Sequence, residues 1–319
     1  MRVVFFGSPE FAVPALTALA GDDRFEVALV VTLAARGASP VERAAGQLGL
    51  PVYKPATLRD AASRAPLAAA AADAFVVAAF GLIFRSKTLA IPRLGCVNVH
   101  PSLLPKYRGA VPIPAAIAAG DRETGVSLMV MDEGIDTGAV ISEERAPIAE
   151  NDTTKSLGSR LAQLGARQLV RDLPRWADGS LRARPQSDRG ATLTRPLTKA
   201  DGWMDWSRPA AELERHVRAV WPWPRAWTTV DGTLLQIHRA AVVGAASAAA
   251  PGAVVPDRKR LLVATGNGVL ELLSVEPAGR RAMSATAYLN GRRAPIVELG
   301  QVGAPEPQPP LVVPAPKRP

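Results

Sequence analysis

Residues 1–32 read MRVVFFGSPEFAVPALTALAGDDRFEVALVVT: an apolar run, a Gly-Ser-Pro turn, an Ala- and Leu-rich stretch, then a second apolar run. β-branched and aromatic residues fill 2–6 and 26–32, which predicts strands, and 9–20 between them reads as a helix. A strand, a crossover helix and a second strand make one parallel unit. The alternation continues downstream, with helices expected at 41–48 and 58–71 and strands at 75–79, 97–100 and 126–131. An α/β domain on a mostly parallel sheet follows, and ligands of such sheets sit beyond the carboxyl ends of the strands. The turn Phe6-Gly7-Ser8-Pro9 lacks the G-x-G-x-x-G spacing of a dinucleotide site, so Gly7 is read as the residue that turns strand into helix.

After a strand pair within 125–148, residues 152–176 have helical spacing, with Leu157, Leu161, Leu164 and Leu169 on one side. The helix is expected to close at Asp178-Gly179. Residues 182–202 hold Pro185 and Pro196, are polar at the start and lack a clear period, so a linker is placed there between a first domain at 1–181 and a second at 203–302. The second domain shows one helix at 210–220, then short strands around 227–230, 234–239, 261–264 and 269–275. A small β-barrel is expected, with the five-stranded oligonucleotide-binding type as candidate. The proline-rich tail 303–319 is expected to be disordered.

A length of 319 residues with 48% hydrophobic and 21% charged residues suits two globular domains. The single cysteine, Cys96, has no internal disulfide partner, and His100, His216 and His238 lie far apart without metal-ligand spacing. A reducing cytoplasmic setting and a mechanism without metal are the resulting expectations. The start of the chain does not read as a signal peptide, and no apolar stretch reaches the length of a membrane span. The formal charge of +9 points to an anionic partner, nucleic acid being the commonest, although Arg- and Ala-rich composition also arises from biased codon usage.

Two stretches carry chemistry. In Asn98-Val99-His100-Pro101-Ser102-Leu103-Leu104-Pro105-Lys106-Tyr107-Arg108-Gly109, Asn98 and His100 are two apart on a strand and project to one side. An amide donor and an imidazole aimed at one point can hold a developing oxyanion; the alternative is a pair of satisfied structural polar groups. In Met131-Asp132-Glu133-Gly134-Ile135-Asp136-Thr137-Gly138, two glycines accompany three carboxylates after a strand. One reading is a turn whose acidic side chains bond their own backbone; the other returns Asp136 to His100 to orient the imidazole.

The two stretches together are similar to the signature of the folate-dependent formyltransferases, and Arg108-Gly109-Ala110-Val111-Pro112-Ile113 leans towards the branch acting on methionyl-tRNA. The resemblance runs from Met1 to about Arg293. It includes Phe6-Gly7-Ser8-Pro9-Glu10-Phe11, Ala79-Phe80-Gly81-Leu82-Ile83, Met204-Asp205-Trp206-Ser207, Pro222-Trp223-Pro224 and Leu289-Asn290-Gly291-Arg292-Arg293. It implies a Rossmann-like, doubly wound first domain followed by a small OB-like barrel. It also implies transfer of formyl from 10-formyltetrahydrofolate to the α-amine of initiator methionyl-tRNA. Asn98, His100 and Asp136 match the family's catalytic positions. Ser102, Leu103, Leu104 and Pro105 match its folate-binding stretch, with Phe80 and Gly81 beside the pterin.

The loop after Thr32, long and basic in the family, is short here and keeps only Arg36-Gly37, while Pro101 stands where the tRNA enzymes commonly have a small residue. Arg36, Arg280, Arg281, Arg292 and Arg293 are the candidates for facing tRNA phosphates. Trp221, Trp223 and Trp227 are read as packing anchors. Two other readings stand beside the tRNA enzyme: a formyltransferase of the same fold acting on a sugar nucleotide or small amine, and a non-catalytic tRNA- or folate-binding protein. A monomer is expected.

Overall fold

The computed structural model describes residues 1–244, 247–300 and 303–316. The chain opens with β1 (Arg2–Gly7), α1 (Val13–Ala20), β2 (Glu26–Val31), α2 (Pro40–Gln47), β3 (Val52–Tyr53), α3 (Ala61–Ala69), β4 (Ala74–Ala78), α4 (Ser86–Leu89) and β5 (Cys96–His100). After β6 (Arg108–Gly109) and α5 (Pro112–Ala119) come β7 (Glu123–Val130), β8 (Val140–Pro147) and α6 (Thr154–Ala177). Seven of these strands form one sheet in the order β3-β2-β1-β4-β5-β7-β8. Neighbours from β3 to β5 run parallel, β7 runs antiparallel to β5, and β8 antiparallel to β7. The strand order reverses between β1 and β4, which opens a crevice at their carboxyl ends.

Helices cover both faces, so β1 and β4 read as nearly continuous apolar runs and are buried almost throughout. Parity assigns the faces. Val3, Phe5, Val76, Val97 and Val99 pack with Leu16, Leu157, Leu161 and Leu169. Val4, Phe6, Phe75, Val77 and Cys96 pack on the other side with Leu58, Leu67 and Phe84. Asn98 and His100 share the parity of Cys96 and so stand on this second face. Of the leucine stripe expected in α6, Leu157, Leu161 and Leu169 are buried and Leu164 partly so, and Thr153 caps the helix reciprocally with Ser156.

The connection 182–202, expected as a linker, is bound at both ends, residues 184–194 to the first domain and the Lys199 carbonyl, 3.0 Å from Trp227 Nε1, to the second. Arg184 exchanges backbone hydrogen bonds with Val140, and β9 (Thr192–Thr194) pairs in parallel with β6. Apolar periodicity missed this segment because hydrogen bonds, not a buried face, order it.

Beyond it stand α7 (Ala210–Ala219), β10 (Ala226–Val230), β11 (Thr233–Val243), β12 (Val254–Val255), β13 (Leu261–Ala264), β14 (Val269–Pro277), β15 (Met283–Ser284) and α8 (Ala285–Asn290). The strands form a curled antiparallel sheet, β10-β11-β14-β13-β12 with β15 on β14, around a core of Met204, Leu213, Val217, Ile237 and Leu272. Register shifts between Ile237 and Ala240 bend β11, as bulges do. The domains meet through α5 and α7. Thr154 Oγ1 donates to the Ala219 carbonyl at 2.6 Å, and Arg218 donates to that of Asp152 at 2.9 Å.

The disorder expected from Gly303 onward does not describe the tail. Its residues Val312–Pro314 form β16, antiparallel to β9, and the Arg195 guanidinium donates to the Pro309 carbonyl at 2.7 Å. Composition cannot foresee this, because the open edge of β9 supplies the backbone partners that a proline-rich segment lacks by itself. Residues 317–319 of that expected tail lie outside the described residues.

Candidate active site

Strand β5 ends at His100 and passes into the loop 101–107, which folds over the strand's second face. His100 is 3% exposed. Its Nε2 lies 3.0 Å from the Tyr107 carbonyl oxygen, an obligate acceptor, so Nε2 carries the proton. Tyr107 adopts φ 62°, and two hydrogen bonds hold it there. Its N–H donates to Thr192 Oγ1 at 2.7 Å, its hydroxyl donates to Asp121 Oδ2 at 2.7 Å, and Lys106 pairs with the same carboxylate. Burial and the Asp121 bond push the phenol above its ordinary value, so it stays a donor.

The connection 131–139 between β7 and β8 folds back towards the same place. Its return is close enough that a Cβ on Gly138 would stand 1.7 Å from the Val130 carbonyl oxygen, so glycine is required there. Asp136 sits at φ 51°, in the left-handed region that favours glycine and asparagine. Its Oδ1 accepts from the Asn98 amide at 3.2 Å, and its Oδ2 accepts the Gly109 N–H at 2.8 Å. Oδ2 also lies 3.5 Å from His100 Nδ1, the ring nitrogen that makes no hydrogen bond at closer range. Asn98, His100 and Asp136 therefore converge. Both readings of the acidic stretch apply, to different carboxylates: Asp132 bonds its own turn at Gly134 and Thr137, and Asp136 leaves it.

Gly109 needs its freedom as well. It has φ 100°, and an added Cβ would meet the Thr194 carbonyl oxygen at 2.4 Å. β6 can thus lie flat on β9 and present the Gly109 N–H to Asp136. Cys96, two residues before Asn98, is buried with its thiol pushed up to about 12, which removes it as a nucleophile.

The other expected residues scatter more. Ser102 and Leu104 are buried: Ser102 donates to the Lys106 carbonyl at 2.7 Å, and Leu104 packs on Met129 and Val140. Leu103 and Pro105 are half-buried. Phe80 is half-buried against Phe6 and Phe84, Gly81 is exposed, and Ile83 and Ile135 expose 69% and 61% of their surface. Arg36 is exposed on the loop whose Leu33 abuts Gly81. Arg280, Arg281 and Arg293 are exposed on the second domain, whereas Arg292 is tied to Asp231 at 2.5 Å and to the Tyr288 hydroxyl at 3.1 Å. Trp221 packs at a tilt against His238 and Trp227 edge-on against Trp203, but Trp223 is 56% exposed and anchors little.

Sequence reasoning did not find the Tyr107 carbonyl, the Gly109 N–H, Arg108 or Gln186 as parts of the site. The Gln186 amide donates to the carbonyls of Asp136 and Gly138, both at 2.8 Å, and accepts from buried Arg108. Two of these are backbone groups without a sequence signature, and Gln186 lies in the stretch read as linker.

Residues 1–173 match the formyl transferase family model, and residues 196–293 match that of the formyl transferase C-terminal domain. A methionyl-tRNA formyltransferase of Methylococcus capsulatus is 43% identical over 307 residues, spanning 94% of this chain and 100% of that protein. Among solved structures, the sugar 3N-formyl transferase WlaRD matches with TM-score 0.67 at 17% identity, over 88% of this chain and 99% of that one. An N-formyltransferase from Helicobacter canadensis matches with TM-score 0.65 at 17% identity, over 85% and 98%. These two show likeness of fold. Both domain models and a relative matched along its whole length lead to one statement of kinship: the chain belongs to the formyl transferase family.

Proposed function

We propose that the chain transfers the formyl group of 10-formyltetrahydrofolate to the α-amino group of initiator methionyl-tRNA. The observation that carries this reading is identity to a methionyl-tRNA formyltransferase through the second domain as well as the first. When bound, the folate supplies a formyl carbonyl open to attack by an amine. Ile83, on the same segment as Phe80 and Gly81, and Ile135, next to Asp136, are apolar and exposed and suit a flat heterocycle, and Leu103 and Pro105 are the members of the 102–105 stretch with surface left to offer it. Ser102 and Leu104 would act by shaping that loop.

Asn98 has a second amide proton beyond the one given to Asp136, and it is the donor type that stabilises charge on a carbonyl oxygen. His100 offers Nδ1, and when that nitrogen is protonated Asp136 faces the charge while the Tyr107 carbonyl accepts the hydrogen bond from Nε2. Asp136 is also the carboxylate placed to take the proton that the attacking amine must lose. Neither donor has to reorganise, because backbone groups hold both partners.

No helix among the described residues is long and apolar enough to cross a membrane. A cytoplasmic setting is proposed from the lone, buried and unpaired Cys96, and a monomer is proposed with it. The deciding assay is radiolabelled formyl transfer from 10-formyltetrahydrofolate to initiator methionyl-tRNA, elongator methionyl-tRNA and free methionine. Fast transfer to the initiator alone is expected. Equal rates on free methionine would move the assignment to a small-amine formyltransferase, and no transfer to any acceptor would leave a binding protein.

A further inference from the structure

We propose that Gln186 is a positioning residue for the Asp136 carboxylate, with Arg108 setting the direction of its amide. The proposal rests on the functional reading above for its kinetic arm and on geometry alone for its structural arm.

Hydrogen-bond chemistry leaves the Gln186 amide one orientation. Arg108 has only donors, and its Nε and Nη2 lie 3.1 and 2.9 Å from Gln186 Oε1. The Asp136 and Gly138 carbonyls have only acceptors, and both lie 2.8 Å from Gln186 Nε2. Turning the amide over would set donor against donor and acceptor against acceptor. Arg108 is itself fixed, with its side chain 2% exposed and its carbonyl accepting from Thr194 Oγ1 at 3.0 Å.

The result is a closed circuit around Asp136. The Gly109 N–H holds its carboxylate, and the neighbouring Arg108 side chain holds, through Gln186, its backbone carbonyl. One two-residue strand grips Asp136 at both ends. Such a grip is what a non-glycine residue at φ 51° requires, since that conformation persists only when its surroundings over-determine it. Releasing the backbone would let Asp136 relax and carry its carboxylate away from Asn98 and His100. Gln186 itself touches the Asp136 and Gly138 carbonyls and Arg108, and acts through Asp136.

Gln186→Glu isolates the effect. The change is nearly isosteric and keeps an acceptor for Arg108, but it turns an oxygen on two carbonyl oxygens. Gln186→Ala removes both bonds without adding charge. A displacement near 1 Å costs on the order of 10²-fold in rate, so kcat should fall by about that factor in Gln186→Glu, with KM for methionyl-tRNA little changed. In an Asp136→Asn background the same substitution should cost almost nothing further, because residues acting as a unit are non-additive. Hydrogen exchange of amides 131–139 should accelerate in both Gln186 variants while the rest of the first domain keeps its protection.

Wild-type kcat in both Gln186 variants, losses that add in full to that of Asp136→Asn, or unchanged exchange across 131–139 would each overturn the proposal. An inactive wild-type protein would instead sink the functional reading, and the exchange experiment would still decide the role of Gln186.

Discussion

Asn98 and Asp136, 38 residues apart in the chain, share a hydrogen bond of 3.2 Å from side-chain amide to carboxylate. This bond orients the asparagine, since the carboxylate accepts and the NH₂ group must donate. It also joins the strand end to the loop that carries the carboxylate.

Removing one donor from an oxyanion site costs about 10² to 10³ in turnover. Asn98→Ala and His100→Ala should each lose that much kcat with little change in melting temperature or tRNA affinity. Steady-state kinetics alongside thermal melts check it, and wild-type turnover in either variant would remove that residue from the chemistry.

Asp136→Asn keeps the shape and loses the charge. The new amide can still accept from Asn98 or from Gly109 through its one oxygen, but it cannot serve both and support His100 as well. The expected outcome is a large fall in kcat, an altered pH profile of kcat, and a smaller effect on KM for the folate. An unchanged pH profile with wild-type kcat would reduce Asp136 to a loop residue.

The arginines separate into two groups. Neutralising Arg280, Arg281 or Arg293, each exposed, should lower the salt dependence of KM for methionyl-tRNA by at most about one unit per lost phosphate contact. Arg292→Ala should instead destabilise the second domain, because its guanidinium is held by Asp231 and lies 5.5 Å from the Tyr288 ring centroid. Arg36→Ala should erode the preference for initiator over elongator tRNA. KM across a salt series for each variant tests the set, and a KM indifferent to salt would count against the tRNA assignment.

His216 predicts an acid limb of stability. Burial, with the nearby Arg208 charge, pushes its imidazole from 6.5 down to about 4, and its Nε2 has no hydrogen-bond partner among the described residues. Below pH 6.5 the unfolded chain takes up a proton that the folded chain refuses until about pH 4, so stability is full above 6.5 and falls across that window. The loss is at most about 3 kcal/mol. Melting temperature against pH should be flatter over this range in His216→Gln. Burial lowers His238 as well, so His238→Gln is the companion variant. Identical curves for wild type and His216→Gln would mean that His216 does not titrate in this window.

Local chemistry made much of the molecule legible. Continuous β-branched and aromatic runs at 2–6 and 26–32 mark buried strands, Leu157, Leu161 and Leu169 mark the inner side of α6, and residues two apart on β5 must share a face, which places Asn98 beside His100. The proximity of Asp136 was legible only as one of two readings.

The sequence by itself determined the strand-and-helix alternation and the pairing of the two donors, because period and parity are properties of neighbouring residues. Only the tertiary structure decided that Asp136 meets them, that the Tyr107 carbonyl accepts the hydrogen bond from His100 Nε2, and that Gln186 and the tail strand β16 belong to the same corner. Every residue except proline carries the same backbone N–H and C=O, so a site assembled from the Gly109 amide, the Tyr107 carbonyl and the edge of β9 leaves no mark in the order of side chains.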